Sequence, residues 1–383
     1  MSDVSSVVSS TDSNAEDETA ANDLQNSDIV TKYRCAADIA NKTLQHMLQQ
    51  VKPGTKAVTL CDLGQDFITQ ETDKVYNAKK NGKKIEKGCA FPVCVSVNNC
   101  VGHYSPLRSE DDVVLQAKDI VKIDLGVHVD GYIAVVAETA VCGGEPVSDT
   151  RAADAMVAAH TAAELCHRMF KQGCTNSEIT AMIQKVADDF DCTPVEGVLS
   201  HQMKKHVIDA NKVVMNKETI DQQVKECQME LGDVFGFDIV MSTGKGKPKQ
   251  SGKRTTVFKR DLEEKYSLKM KASRTFFHEV NQRFPTLPFS LRAGDEKAWR
   301  MGVVECVKNG LFIEYPVLEE RAEEVVAQVK FTALLLPSGR VVRITQGSKE
   351  VMAKSNKSLK DEKLVALLSE SVEVKKKDKK KKK

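Results

Sequence analysis

No stretch of the 383-residue chain has the length of apolar sequence needed to cross a bilayer. The opening MSDVSSVVSSTDSNAEDE also lacks the basic-then-apolar order of a secretory leader. The eleven cysteines include no CxxC pair and their number is odd, which speaks against a disulfide framework or a zinc finger and for a reducing compartment. GxSxG and HExxH are missing as well, and with them the common signatures of a serine hydrolase elbow and a zinc-peptidase helix. The glycine-lysine stretch STGKGKPKQSGKRTT fails as a nucleotide-hydrolysing loop. Such a loop needs Gly five residues before its Gly-Lys pair and Ser or Thr just after it, and around Gly252-Lys253 those positions hold Lys247 and Arg254. A soluble, intracellular protein with no membrane insertion is expected.

Positive charge is absent from residues 1–30, which hold seven acids among Ser, Asn and Thr; residues 1–27 read as a disordered acidic tail. The other end is the reverse: residues 373–383 form a second disordered tail in which eight of the last nine residues are lysine. So dense a run of like charge stays extended, binds polyanions by releasing their counterions, and can double as a nuclear address. The formal net charge of +2 hides this segregation, and hides a third block, Ser242–Thr275, with eleven basic residues against three acidic ones.

What is present is an apolar fraction of 41%, enough for a sizeable core. Helical spacing runs from Ser27-Asp28 to Val51, over Thr150–Met169, and from a capping box, Thr175 with Glu178, through Phe190. Strand patterns fall on FPVCVSVNNCVGHYSP, on the hairpin VKIDLGVHVDGYIAVVAETA, on 233–241, and on VAQVKFTALLLPSGRVVRI. Helical patterns around 274–284 and 296–308 interrupt the last two. This predicts an α/β (α+β) domain over 28–348, with a basic loop at 242–256, a helical insert over about 257–315, and a C-terminal helix over 349–372.

His103, Asp124, His201 and Asp238 each lie in or beside an apolar strand, where a polar side chain is costly unless it is paired or holds a ligand. Together, NNCVGHYSP, KIDLGVHVDG, LSHQMKKHVIDANK, FDIVMSTGKG and AQVKFTALL resemble type 2 methionine aminopeptidases. The resemblance implies a pita-bread (creatinase/methionine aminopeptidase-like) fold whose insert is winged-helix-like. It also implies a site where two Asp, one His and two Glu hold two metals. The family's catalytic His falls on His103, its first Asp on Asp124, its ligand His on His201 and its first Glu on Asp238. The second Asp falls on Val135, the second Glu on Lys330, and a substrate-contacting His on Asp209. With a four-residue loop at 128–131, Asp124 would face Val135 across the hairpin; Glu138 would point to the opposite face. Charge counting is decisive. The peptidase set presents −4 to its dications, whereas Asp124, Asp238 and Lys330 sum to −1, so no metal and no other cofactor is expected.

A peptidase frame with these substitutions, together with CTPVEGVLSHQMKKHVID, SGKRTTVFKRD and the lysine tail, resembles the proliferation-associated or ErbB-binding protein family. That implies a monomeric pseudo-aminopeptidase acting in cell growth, ribosome biogenesis and translation, in the cytoplasm, nucleus and nucleolus. Its implied partners are structured RNA, rRNA and the large ribosomal subunit, and signalling or transcription proteins. The expected phosphate contacts are Lys245, Lys247, Lys249, Lys253, Arg254, Lys259, Arg260, Lys265, Lys269 and Lys271, with Lys375, Lys376, Lys377, Lys379 and Lys380 of the tail. Lys79, Lys80, Lys83, Lys84 and Lys87 make a smaller cluster, and Phe258, Tyr266, Phe276 and Phe277 are candidate stacking residues. The alternatives are an active aminopeptidase with a reduced metal site, or a scaffold whose pocket still accepts a peptide.

Overall fold

A computed structural model describes residues 24–79, 82, 84–110, 113–347 and 351–370; both charged tails, Lys80 and Lys83 lie outside them. The main sheet runs β1 (Lys87–Val97), β3 (Ile120–Val129), β4 (Tyr132–Val141), β12 (Val326–Leu335), β7 (Val234–Ser242), β5 (Leu199–Gln202) and β6 (Val213–Met215), antiparallel throughout. Strand β13 (Val341–Arg343) folds back on β12.

The sheet's two faces follow from the two-residue period of a strand. Ile123, Leu125 and Val127 turn one way, into an apolar cluster under α1 (Ser27–Leu48) and α2 (Ala57–Thr72). Phe235, Phe237, Ile239, Val329 and Phe331 turn the same way, under α3 (Arg151–Met169) and α4 (Asn176–Asp189). Their alternates Asp124, Asp238 and Lys330 are thereby sent to the other face, opposite the helices.

Helix α2 has no counterpart among the sequence expectations. Its N-cap is Lys56, which makes no side-chain capping bond, so the usual start signal is missing. Its buried residues Ala57, Leu60, Cys61, Gly64, Ile68 and Thr72 nevertheless keep helical spacing. The expected helix over 349–372 is also corrected. Ala353–Lys354 is extended and pairs with Val147–Ser148, and among the described residues of the span only Glu362–Ser369 (α7) is helical. Lys357 explains the extension: it reaches Asp154 at 2.8 Å and Asp191 at 2.9 Å, strapping the chain across α3 and the end of α4.

The hairpin register differs from expectation too. The turn is the two residues Asp130 and Gly131, with φ of +56° and +77°, the conformation that lets two twisted strands join tightly. Asp124 therefore pairs with Ala137, and Val135 with Gly126; Val135 stays on the face of Asp124 but lies diagonally from it.

Residues 257–315 build a small unit with its own core. Strand β8 (Val257–Arg260) lies between β9 (Phe289–Ser290) and β10 (Phe312–Tyr315), against α5 (Lys271–Arg283) and α6 (Glu296–Lys308). Phe258, Phe276, Phe289, Trp299 and Phe312 fill it. This unit stands over the open face of the main sheet, and β11 (Leu318–Glu319) joins it to β2 (Cys100–Gly102).

Candidate functional site

One row of residues crosses four strands: Asp124 pairs with Ala137, Ala137 with Lys330, and Lys330 with Asp238. Because Ala137 ends at its methyl group, the Lys330 side chain is free to lean across it. Its ammonium lies 2.5 Å from Asp124 Oδ2 and 3.0 Å from Asp238 Oδ2. Gln328, two residues earlier and so on the same face, donates to Asp238 Oδ1 at 2.8 Å and reaches Asp124 Oδ2 at 3.5 Å. Sequence reasoning missed Gln328, although its spacing from Lys330 was signal enough.

His103 follows β2 in the left-handed region, φ +65°, packed against the rings of Phe91 and Tyr315. Its Nδ1 lies 3.0 Å from the Pro316 carbonyl, which can only accept, so Nδ1 carries the proton and Nε2 is left as an acceptor. His201 stands on β5, its Nδ1 buried without a partner. Asp209 forms an ion pair with Lys259. Val135 fills the space between neighbouring strands: a methyl group added at Gly236 would meet it at 2.9 Å. All seven predicted pocket residues line one cavity of about 240 Å³, walled also by Phe91, Met203, Ile208 and Tyr315. Glu138 is on the opposite face, 2.8 Å from His160 of α3.

Burial dominates the electrostatics. It pushes the Asp124 carboxyl up to about 6, with Lys330 pulling the other way, and leaves Oδ1 without a hydrogen-bond partner. Burial also opposes the Lys330 ammonium, but Asp124 and Asp238 together outweigh it and hold the group above its ordinary range. Burial lowers both His103 and His201, so neutral imidazoles face the cavity.

The basic segment divides in two. Lys245, Lys247, Lys249, Lys253, Arg254, Lys265, Lys269 and Lys271 are exposed. Lys247 pairs with Glu196, Lys253 with Glu319 and Arg254 with Glu110, while the other five make no ion pair among the described residues. Lys259 and Arg260 depart from expectation. Lys259 is committed to Asp209 at the cavity, and Arg260 stacks on Phe277 and donates to Asn281. Phe258 and Phe276 are buried in the insert's core, leaving Tyr266 as the exposed ring of the four. The glycine-lysine loop is already filled by a carboxylate: Glu320 accepts from Ser242 Oγ at 3.0 Å and Gly246 N at 2.6 Å. Its lysines, not its backbone, are what remains for phosphate.

Residues 31–247 match the model of metallopeptidase family M24. The chain is 51% identical over 318 residues to ErbB-3 binding protein 1 of Solanum tuberosum, covering 83% of this chain and 81% of that one. It is 36% identical over 368 residues to the curved DNA-binding protein of Schizosaccharomyces pombe, covering 94% of each. The solved structure of a thermophilic Arx1 superposes with a TM-score of 0.84 at 29% identity, over 91% of this chain and 99% of that one. A pita-bread sheet carrying this pocket, with matches of this length and identity, places the chain in metallopeptidase family M24, in its ErbB-3-binding, proliferation-associated branch.

Proposed function

We propose that the protein is a non-catalytic member of this branch that binds structured RNA and ribonucleoprotein, with the large ribosomal subunit as its main partner. Its setting would be growth and translation control in the cytoplasm and nucleolus. The observation that carries the non-catalytic half is the Lys330 ammonium lying between Asp124 and Asp238. A fixed cation stands where a dication would need both carboxylates, Val135 supplies no ligand, and the local charge sums to −1. Each missing carboxylate removes coordination and Coulomb attraction together. The residues do not fit a metal pair, and among the described residues no group of three or more His, Cys, Asp or Glu is placed to hold a metal. His103 and His201 have no metal-bound water to act on.

The binding half is supported by exposed Lys245, Lys249, Lys265, Lys269 and Lys271, which make no ion pair among the described residues, by the lysine tail, and by the name of the fission-yeast relative. Phosphate contacts of this kind give affinity without base choice, so selectivity would come from nucleic-acid shape. Metal analysis of the purified protein with an assay on a Met-Ala-Ser peptide tests the first half. Stoichiometric metal with turnover lost in His103→Ala overturns it. For the second half, the protein should sediment with the large ribosomal subunit at low salt and leave it as salt rises; absence of co-migration at low salt counts against it.

A peptide-binding role is favoured by one observation: Asp124 Oδ1 and His201 Nδ1 are buried and unpartnered at an apolar-walled cavity. Crosslinking that returns only protein partners, and no RNA, would select it.

A further inference from the structure

Helix α6 leaves one face uncovered. Lys297, Met301, Val304 and Lys308 recur along it at helical spacing, and Met301 and Val304 are 55% and 61% exposed side by side. A groove beside them is shared with Ser109, Arg254 and Arg300. Among the described residues the acids near the groove are already engaged: Glu110 by Arg254, Glu296 by the Arg108 and Ser109 backbone, and Asp295 as the cap of α6. Lys297 and Lys308 make no ion pair among the described residues. The surface is apolar at its centre and cationic at both ends.

One segment of this chain carries the complement. Residues 1–23 hold six acids and no Lys or Arg, and the apolar Val4, Val7 and Val8 precede the acids Asp12, Glu16, Asp17 and Glu18. The segment also has the reach to cross the insert. Leu24, the first described residue, is buried in the same apolar cluster as Leu287 of the insert. The sixteen residues from Val8 to Leu24 span up to roughly 50 Å when extended, against roughly 20 Å for the whole of α6.

We infer that the acidic N-terminal segment docks on the outward face of α6, Val4, Val7 and Val8 against Met301 and Val304 and the acids against Lys297, Arg300 and Lys308. In that position it competes with polyanions for the insert's cations. This regulatory consequence rests on the nucleic-acid reading above; the docking itself does not.

The test is a photo-crosslinking amino acid placed at Val7 of the full chain. Adducts should map to 296–308 on the same molecule and be lost in Val304→Asp, an exposed change that leaves the fold intact. Adducts elsewhere, adducts between two copies, or adducts indifferent to Val304→Asp overturn the docking. In parallel, anisotropy of a structured RNA should show about 5-fold tighter binding at low salt for Asp12→Asn/Glu16→Gln/Asp17→Asn/Glu18→Gln, the low end for coupled sites, the gain fading as salt rises. Unchanged affinity beside a positive crosslink overturns the competition. If neither chain binds RNA, the competition falls together with the proposed function, and the crosslink alone decides the docking.

Discussion

Lys330 and the lysines of the 242–271 segment are one residue type in two opposite settings. Lys330 is 13% exposed and held by two carboxylates, so its charge is spent inside the protein. Lys245, Lys249, Lys265, Lys269 and Lys271 stand in water, with no ion pair among the described residues, and their charge is available to a partner. What separates the two is the neighbour each strand or loop supplies. Three strand registers deliver Asp124 and Asp238 to Lys330, whereas Glu320, an acid at the glycine-lysine loop, is consumed by the loop's own backbone and hydroxyl groups. Counting charge along a sequence cannot make this distinction. Lys259, in the middle of the basic block, belongs with Lys330 in kind, because Asp209 claims it.

The comparison breaks most visibly at Lys330. Lys330→Met should destabilise the fold by about 3–5 kcal/mol, because it leaves two buried carboxylates facing one another without a cation. Urea unfolding measures this, and a change under 1 kcal/mol would mean the ion triad is not closed in solution. A sharper version rebuilds the site. Val135→Asp, Asp238→Glu and Lys330→Glu combined should take up manganese or cobalt stoichiometrically, seen by elemental analysis after gel filtration, while Val135→Asp alone should take up none.

Next in size is the acid side of the stability curve. Burial is the leading cause that lowers His128 to about 4 and His167 to about 4, so both are neutral when folded. The unfolded chain takes up these protons near pH 6.5, before the folded one, and stability is lost as pH falls from about 6.5 to 4. The loss should be on the order of 2 kcal/mol per residue by pH 4 and should flatten below it. Unfolding followed at several pH values in His167→Gln should lack half of that drop.

The smallest effects belong to single surface lysines. Lys249→Ala and Lys269→Ala should each leave stability within about 0.5 kcal/mol of the parent. Each should lower the salt dependence of RNA binding by about one released counterion. Loss of stability instead would show that the side chain is tied down, as Lys259 is.

Much of this was legible in the sequence, for a physical reason. Capping at Thr175 and apolar periodicity are local signals, and α3, α4 and α6 fall within a residue or two of the spans they predict. The pocket residues were found through family motifs; composition had nothing to say of them. What escaped was set by long-range geometry or by a missing local sign. Helix α2 starts without a cap, the hairpin register was fixed by a two-residue turn where a four-residue loop had been expected, and residues 353–361 are not helical because Lys357 finds one acid on α3 and another just past α4. Gln328 was within reach, since a residue two before Lys330 on a strand must share its face.

The most direct measurement is the affinity of the full-length protein for a structured RNA across a salt series. Binding through exposed lysines and a lysine tail predicts that log K falls linearly with log salt, with a slope of several counterions, and that neutralising 245–271 flattens it. An affinity unchanged over a few-fold rise in salt, or unchanged by that neutralisation, would contradict the account.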